Sequence, residues 1–409
     1  MNCRYCKKDL EHELLDLGNS PPSNAYLTYS QLSEPETYHP LSIFMCSKCG
    51  LVQTGENIDS AELFNDAYAY FSSTSDSWLS HCEQYVDEII ERLGLISTSR
   101  VVEIASNDGY LLKFFQKRRI EILGVEPTLS TALVSQKSGI PTLNTFFTRN
   151  LAIQIVKDYG KADLVIGNNV YAHVPDIRDF TKGISDLLKP NGTVTLEFPS
   201  LSSLVVNCQF DTIYHEHYSY LSLTVVQKIF AENGLRLYDA EKIKTHGGSY
   251  RVYGCLKHSP IETTASIDRL LTEENSVGLN TLDVYKDFQE KITKQQIWLL
   301  NFLLQCKHKG ESVFGFGAAA KANTFLNSSG IKHFLLPGIF DSAKSKQGLY
   351  MPGSHIPILS PENIDSYAPD FLIVFPWNIF DEIHQKYSYL TEKYGTILIN
   401  LNTISQRSL

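Results

Sequence analysis

The chain has 409 residues, enough for two or three domains at about 100–200 residues each, and its composition is ordinary for a soluble protein. A formal net charge of −9 without any block of like charge excludes a broad basic nucleic-acid surface. The apolar runs are too short to span a bilayer and the start, Met1-Asn2-Cys3-Arg4, has no apolar signal core, so a cytoplasmic protein with neither a membrane nor a nucleic-acid partner is expected.

Eight cysteines in such a chain point to metal or buried thiols before disulfides. Cys3-x-x-Cys6 and Cys46-x-x-Cys49-Gly50 are two thiolate knuckles, and four soft ligands in this paired form suit a closed tetrahedral zinc site. Between them, Leu17-Gly18-Asn19-Ser20-Pro21-Pro22-Ser23-Asn24 is rich in turn formers, so loops and short strands stapled by the metal are expected. A linker follows, ending Ala67-Tyr68-Ala69-Tyr70-Phe71-Ser72-Ser73. Helical spacing of Trp78, Cys82, Tyr85, Val86, Ile89, Ile90 and Leu93 then predicts an amphipathic helix from Ser75 to about Leu93.

A doubly wound sheet is predicted next. Its first strand is Arg100–Ala105, and Ser106-Asn107-Asp108-Gly109 turns into a helix. The second strand, Glu121–Val125, ends in Glu126, placed as a carboxylate that accepts from a ribose diol. Ala162–Gly167 ends in Asn168-Asn169, a helix covers about Ile177–Leu188, and Thr193–Phe198 returns. Leu235–Lys244 and Ser249–Leu256, separated by His246-Gly247-Gly248, read as an antiparallel pair ending the sheet. That ending, with a first turn lacking G-x-G-x-x-G, favours S-adenosylmethionine over a dinucleotide. Between sheet and hairpin lies Phe210-Asp211-Thr212-Ile213-Tyr214-His215-Glu216-His217-Tyr218, where imidazoles, a carboxylate and phenols crowd together as a general base would need. Residues 257–308 read as mainly helical, with an apolar stripe of Leu282, Tyr285, Phe288, Ile292, Leu299, Phe302, Leu303 and Cys306. A second α/β module opens at Ser312-Val313-Phe314-Gly315-Phe316-Gly317-Ala318-Ala319-Ala320-Lys321. It continues through strands Leu335–Phe340 (ending in Asp341), Phe371–Phe375 and Thr396–Asn400.

These motifs, in this order, resemble the sugar C-methyltransferases of deoxysugar biosynthesis along essentially the whole chain. The paired knuckles, Leu17-Gly18…Pro22…Asn24, Tyr70-Phe71-Ser72-Ser73, Glu103-Ile104-Ala105-Ser106-Asn107-Asp108-Gly109-Tyr110, the central Phe210–Tyr218 stretch, and Gly317-Ala318…Lys321-Ala322-Asn323-Thr324 with Lys346-Gln347-Gly348 carry the resemblance. It implies an α/β protein of three parts: a zinc-binding N-terminal domain (1–68), a class I Rossmann-like methyltransferase domain (69–256), and a helical linker with a C-terminal Rossmann-like lobe for a nucleotide sugar (257–409). The implied reaction transfers methyl from S-adenosylmethionine to a ring carbon, most often carbon 3, of a nucleotide-diphosphate 4-keto-6-deoxysugar. His217 would be the base, with Glu216 and Tyr214 orienting it or steadying the enolate oxygen and Tyr68 and His173 lining the site. Phe71, Ser106, Asn107, Asp108, Gly109, Glu126, Asn168 and Asn169 would hold the cofactor. Asn24 and Tyr26, over the sugar, and Gly317, Lys321, Asn323, Asp341, Lys344 and Lys346 would bind the substrate, and the zinc would be structural. Two positions depart from the family pattern: Ala322 stands where glycine is commoner and Phe375 where an aliphatic residue is commoner.

Two rival readings accompany this one. Gly315-Phe316-Gly317-Ala318-Ala319-Ala320 satisfies G-x-G-x-x-A ahead of Asp341, as in an NAD-dependent sugar-nucleotide oxidoreductase. A zinc-ribbon binding protein without catalysis is the other. The oligomeric state is left open, a monomer being compatible with all three.

Overall fold

The structure is a computed structural model that describes residues 1–55, 58–63, 71–74 and 76–401. Tyr68 and Tyr70 lie outside the described residues.

The N-terminal module is a four-stranded sheet. Strands His12–Ser20, His39–Met45 and Val52–Thr54 pair antiparallel in sequence order, and the fourth member is the two-residue strand Ser219–Tyr220 from far along the chain. Alternation of buried and half-buried residues along His39–Met45 puts Leu41, Ile43 and Met45 into the core, as period-two pleating requires.

Seven strands make the central sheet. From one edge they run Thr142–Leu143, Glu121–Val125, Arg100–Ile104, Ala162–Asn168, Leu188–Pro199, Ser249–Leu256 and Leu235–Ile243. Ser249–Leu256 is antiparallel to both neighbours. The antiparallel pair ends the sheet as expected, with Leu235–Ile243 at the edge and Ser249–Leu256 one place in. The central strands read as apolar runs because helices cover both faces. Within the strand Leu188–Pro199, residues 189–192 form an irregularity: Ala162 faces Leu188 but Leu164 faces Thr193. The helix ahead of the sheet, Asp76–Leu93, buries Cys82, Tyr85, Val86 and Ile89 against Val101, Leu164 and Tyr253.

In the C-terminal lobe five parallel strands are ordered Ile358–Leu359, Ile339–Phe340, Val313–Phe316, Phe371–Val374, Ile397–Asn400. The order reverses beside Val313–Phe316, and in such sheets the crevice beyond the strand ends at the reversal is where ligands sit. The long strand predicted at Leu335–Phe340 shrinks to two residues, since Pro337 and Gly338 interrupt it. Helix Phe288–Lys309 buries Phe288, Ile292, Leu299, Leu303 and Cys306 in the core shared with the zinc module, while Leu282, just before it, is exposed.

Candidate active site

The central stretch is a loop, and its fold explains its chemistry. A short helical turn over Phe210–Thr212 aims the Thr212 carbonyl at His217, whose Nδ1 donates to it at 2.8 Å. A carbonyl only accepts, so Nε2 carries the lone pair; the Tyr214 hydroxyl donates to it at 2.8 Å. Burial, reinforced by His173 and Lys321, holds the His217 pKa well below the usual imidazole value, so the ring is a neutral base. His173 stands 4.6 Å away, ring to ring, and its Nδ1 donates to the Glu216 carbonyl at 2.7 Å. Burial lowers His173 to about 4. The Glu216 carboxyl is 1% exposed: Oε1 accepts from Asn24 Nδ2 at 3.0 Å, Oε2 has no hydrogen-bond partner among the described residues, and burial raises its pKa. His215 points the other way, towards His39 of the N-terminal sheet, 5.9 Å between rings.

Asn24 and Tyr26 bridge two lobes. While Asn24 reaches Glu216, the Tyr26 hydroxyl donates to the Ala318 carbonyl in the second glycine turn at 2.6 Å. Lys346 donates to the same carbonyl at 2.9 Å and lies 5.2 Å from the Tyr26 ring. The Asp341 carboxylate accepts from the amides of Ala318 and Ala343, each at 2.8 Å. Gly317 is left-handed (φ +88°), and a Cβ there would stand 2.4 Å from Pro376, so the turn is packed onto the neighbouring loop. Asn323 is fully buried and receives Asn327 Nδ2 on its Oδ1, and Lys344 is exposed on the surface loop; neither is drawn to the catalytic loop. Helix Ala320–Ser328 starts without a side-chain cap, leaving first-turn amides for an anion.

The first turn of the central sheet is strained in a way that fits a cofactor. Ala105 (φ 57°), Asn107 (φ 49°) and Gly109 (φ 79°) are all left-handed, and non-glycine residues stay there only when their surroundings hold them. Segment Phe71–Thr74 holds the turn from above: the amide of Ser72 donates to Asn107 Oδ1 at 2.9 Å and that of Ser73 to Asp108 Oδ2 at 3.3 Å. Glu126 accepts from the amides of Asn107 and Thr128 at 2.9 and 2.8 Å, and burial raises its pKa. Ser106 Oγ, Asp108 Oδ1, both amide atoms of Asn168 and Asn169 Oδ1 are buried without a hydrogen-bond partner among the described residues. Such a cluster of unmet donors and acceptors fits a polar ligand seated over the turn.

At the zinc module, the sulfurs of Cys3, Cys6, Cys46 and Cys49 all lie within 4.8 Å of one another, with Cys3–Cys49 at 3.5 Å and Cys6–Cys46 at 3.4 Å. Tetrahedral zinc–thiolate bonds of about 2.3 Å require sulfur separations of roughly 3.8 Å, so the cluster fits the ion and leaves no open position. Gln53 Nε2 donates to Cys3 Sγ at 3.2 Å, and Arg4 donates to the carbonyls of Thr54 (2.6 Å) and Tyr218 (3.3 Å), which ties the knuckle to the end of the catalytic loop.

Two site residues, His246 and Trp377, escaped the sequence reading as functional groups. His246 is left-handed (φ 54°); its Nε2 accepts from Asn169 Nδ2 at 3.0 Å and Trp78 packs beside its ring. Trp377 donates from Nε1 to Asp211 Oδ2 at 2.6 Å. Signals existed in His246-Gly247-Gly248 and in Pro376-Trp377-Asn378, but the pairing of Asp211 with Trp377 spans lobes and leaves no local trace.

The central strand order, with one antiparallel strand inserted beside the edge, defines a class I methyltransferase, and S-adenosylmethionine is the methyl donor of that class. Family models match in succession along the chain: a zinc binding domain over residues 3–64, a methyltransferase domain over 78–240, and the C-methyltransferase C-terminal domain over 244–401. C-methyltransferase NovU of Streptomyces niveus is 32% identical over 397 residues, covering 97% of this chain and 94% of that protein. The chain belongs to the C-methyltransferase family. Among solved structures, a S-adenosylmethionine-dependent methyltransferase of Anabaena variabilis ATCC 29413 aligns at 14% identity (49% of this chain, 96% of that one, TM-score 0.38). Magnesium protoporphyrin IX methyltransferase of Synechocystis PCC 6803 with bound S-adenosylmethionine aligns at 17% (49% and 99%, TM-score 0.35).

Proposed function

We propose that this C-methyltransferase acts in the cytoplasm on carbon 3 of a nucleotide-linked 4-keto-6-deoxysugar through an enolate generated by His217. The observation that carries the reading is the neutral His217 imidazole, fixed in one tautomer by Thr212 and held in a loop that both outer lobes touch. A proton beside a ketone is removed by such a base, and the enolate carbon becomes the nucleophile. The Tyr214 hydroxyl orients Nε2, and the substrate takes its place when the proton moves. Asn24 and Tyr26 cover the sugar, with Glu216 positioned by Asn24. Phe71, Ser106, Asn107, Asp108, Gly109, Glu126, Asn168 and Asn169 would hold S-adenosylmethionine, which supplies an electrophilic methyl group. The first turn of helix Ala320–Ser328, with Lys344 and Lys346, suits the diphosphate. The zinc takes no part in the chemistry. Family membership leaves the NAD-dependent and non-catalytic alternatives without support.

A panel of dTDP-, GDP-, CDP- and UDP-linked keto-sugars incubated with S-adenosylmethionine should yield one product heavier by a methylene. The enzyme should exchange that substrate's α-proton in deuterated water, and His217→Asn should abolish exchange and methyl transfer together. Methyl transfer that survives this substitution would move the base elsewhere.

A further inference from the structure

Lys321 stands apart from the other lysines of the C-terminal lobe. Its ammonium donates to Asn378 Oδ1 at 2.9 Å and lies 4.0 Å from the centroid of the Trp377 ring. That platform is fixed on two further sides. Trp377 Nε1 is bonded to Asp211 at the head of the catalytic loop, and the ring edge abuts Gly247, where a Cβ would come within 2.0 Å of it. One turn along the same helix face, Thr324 Oγ1 donates to the Ile213 carbonyl at 2.7 Å. Lys321 and Thr324 therefore both look onto the loop that carries Tyr214 and His217, from the crevice where the strand order of the lobe reverses. The charge is felt there: the Lys321 ammonium disfavours protonation of both His217 and His246, and Asp211 in turn favours the ammonium. Yet Asp211 already accepts from Trp377, so the cation has a neutral amide and an aromatic face as its direct partners. A cation so placed, with no carboxylate as its direct partner, suits an anion.

We propose that Lys321 is a catalytic residue whose ammonium binds the ketone oxygen of the substrate and neutralises the enolate. This rests on the keto-sugar reading above. As the α-carbon–hydrogen bond breaks, its proton goes to the Nε2 lone pair of His217 and its electron pair forms the carbon–carbon double bond. The carbonyl π pair moves onto oxygen, against the ammonium. When the new carbon–methyl bond forms, that pair returns to the carbonyl, the electrons of the broken methyl–sulfur bond stay on sulfur, and His217 releases its proton to solvent. The C-terminal lobe thus supplies charge stabilisation to a base held by another part of the chain.

Two measurements separate this role from diphosphate binding. α-Proton exchange in deuterated water, without S-adenosylmethionine, is followed on the keto-sugar that the wild-type enzyme methylates. The affinity for the matching free nucleoside diphosphate is measured by calorimetry. Lys321→Gln should slow exchange and methyl transfer in parallel by about 10²- to 10³-fold. It should leave nucleotide affinity within about threefold, which also certifies the fold, and Lys321→Arg should recover part of the exchange rate. Exchange retained in Lys321→Gln, or a loss of nucleotide affinity with exchange unchanged at saturation, overturns the proposal. A wild-type enzyme that exchanges and methylates none of the keto-sugars overturns the sugar reading itself, a result distinguishable because it precedes any substitution.

Discussion

At the scale of single residues, the site is governed by what burial does to charge. His173 and His246 are each held at about 4, and His217 is also well below an ordinary imidazole. Desolvation is the first cause in each case. Because the depressed pKa keeps His217 unprotonated, the base remains competent as pH falls through the range where a solvated histidine would be titrated. The methyl-transfer rate should therefore stay flat between about pH 7 and about pH 6, without a falling limb near 6.5. Lys321 titrates at about 8, lowered by burial, and the charged form is lost above that value. On the role proposed for it, log kcat should descend above pH 8 in the wild type. A plot of log kcat against pH that instead bends near 6.5 would show that the base is solvated.

Among elements, the hairpin turn Thr245–Gly248 shows how tightly the lobes are keyed. Gly247 is left-handed (φ 87°), its carbonyl accepts from Gln209 at 2.8 Å, and the Trp377 ring fills the space a side chain would need. Gly247→Ala should cost about 1–3 kcal/mol, through an overpacked contact and an unfavourable backbone, and lower the melting temperature accordingly. A thermal scan within a degree of the wild type would mean the turn yields freely. Much of this level was legible in advance. The apolar runs Arg100–Ile104 and Ala162–Asn168 announced central strands, Ser106–Gly109 announced the cofactor turn, and the paired cysteines announced the metal. Ser219–Tyr220 was not legible as part of the N-terminal sheet, because two residues carry no periodicity and the pairing is set by distant contacts. The contact of Trp377 with Asp211 was hidden for the same reason.

For the whole molecule, the zinc module and the catalytic loop are one mechanical unit. The Tyr218 carbonyl accepts from the amide of Thr54 at 3.2 Å and from Arg4, and Tyr218 donates from its hydroxyl to the Ile58 carbonyl at 2.7 Å. The cofactor turn is built from other strands. Stripping the metal with a thiol-selective chelator should therefore abolish methyl transfer while calorimetry still finds S-adenosylmethionine bound, with affinity within about threefold. Full activity in a metal-free sample with titratable thiols would break that link.

The two-residue strand Ser219–Tyr220 also has a consequence for how the chain is made. Val52–Thr54 leaves the ribosome with one side unpaired, and its partner is synthesised roughly 165 residues later. At about 5–20 residues per second, that edge waits on the order of ten to thirty seconds. During that interval a nascent chain offers an open ladder to any neighbour on the same message. The catalytic loop, on arriving, closes it, so the step that brings His217 into place is also the one that ends the exposure.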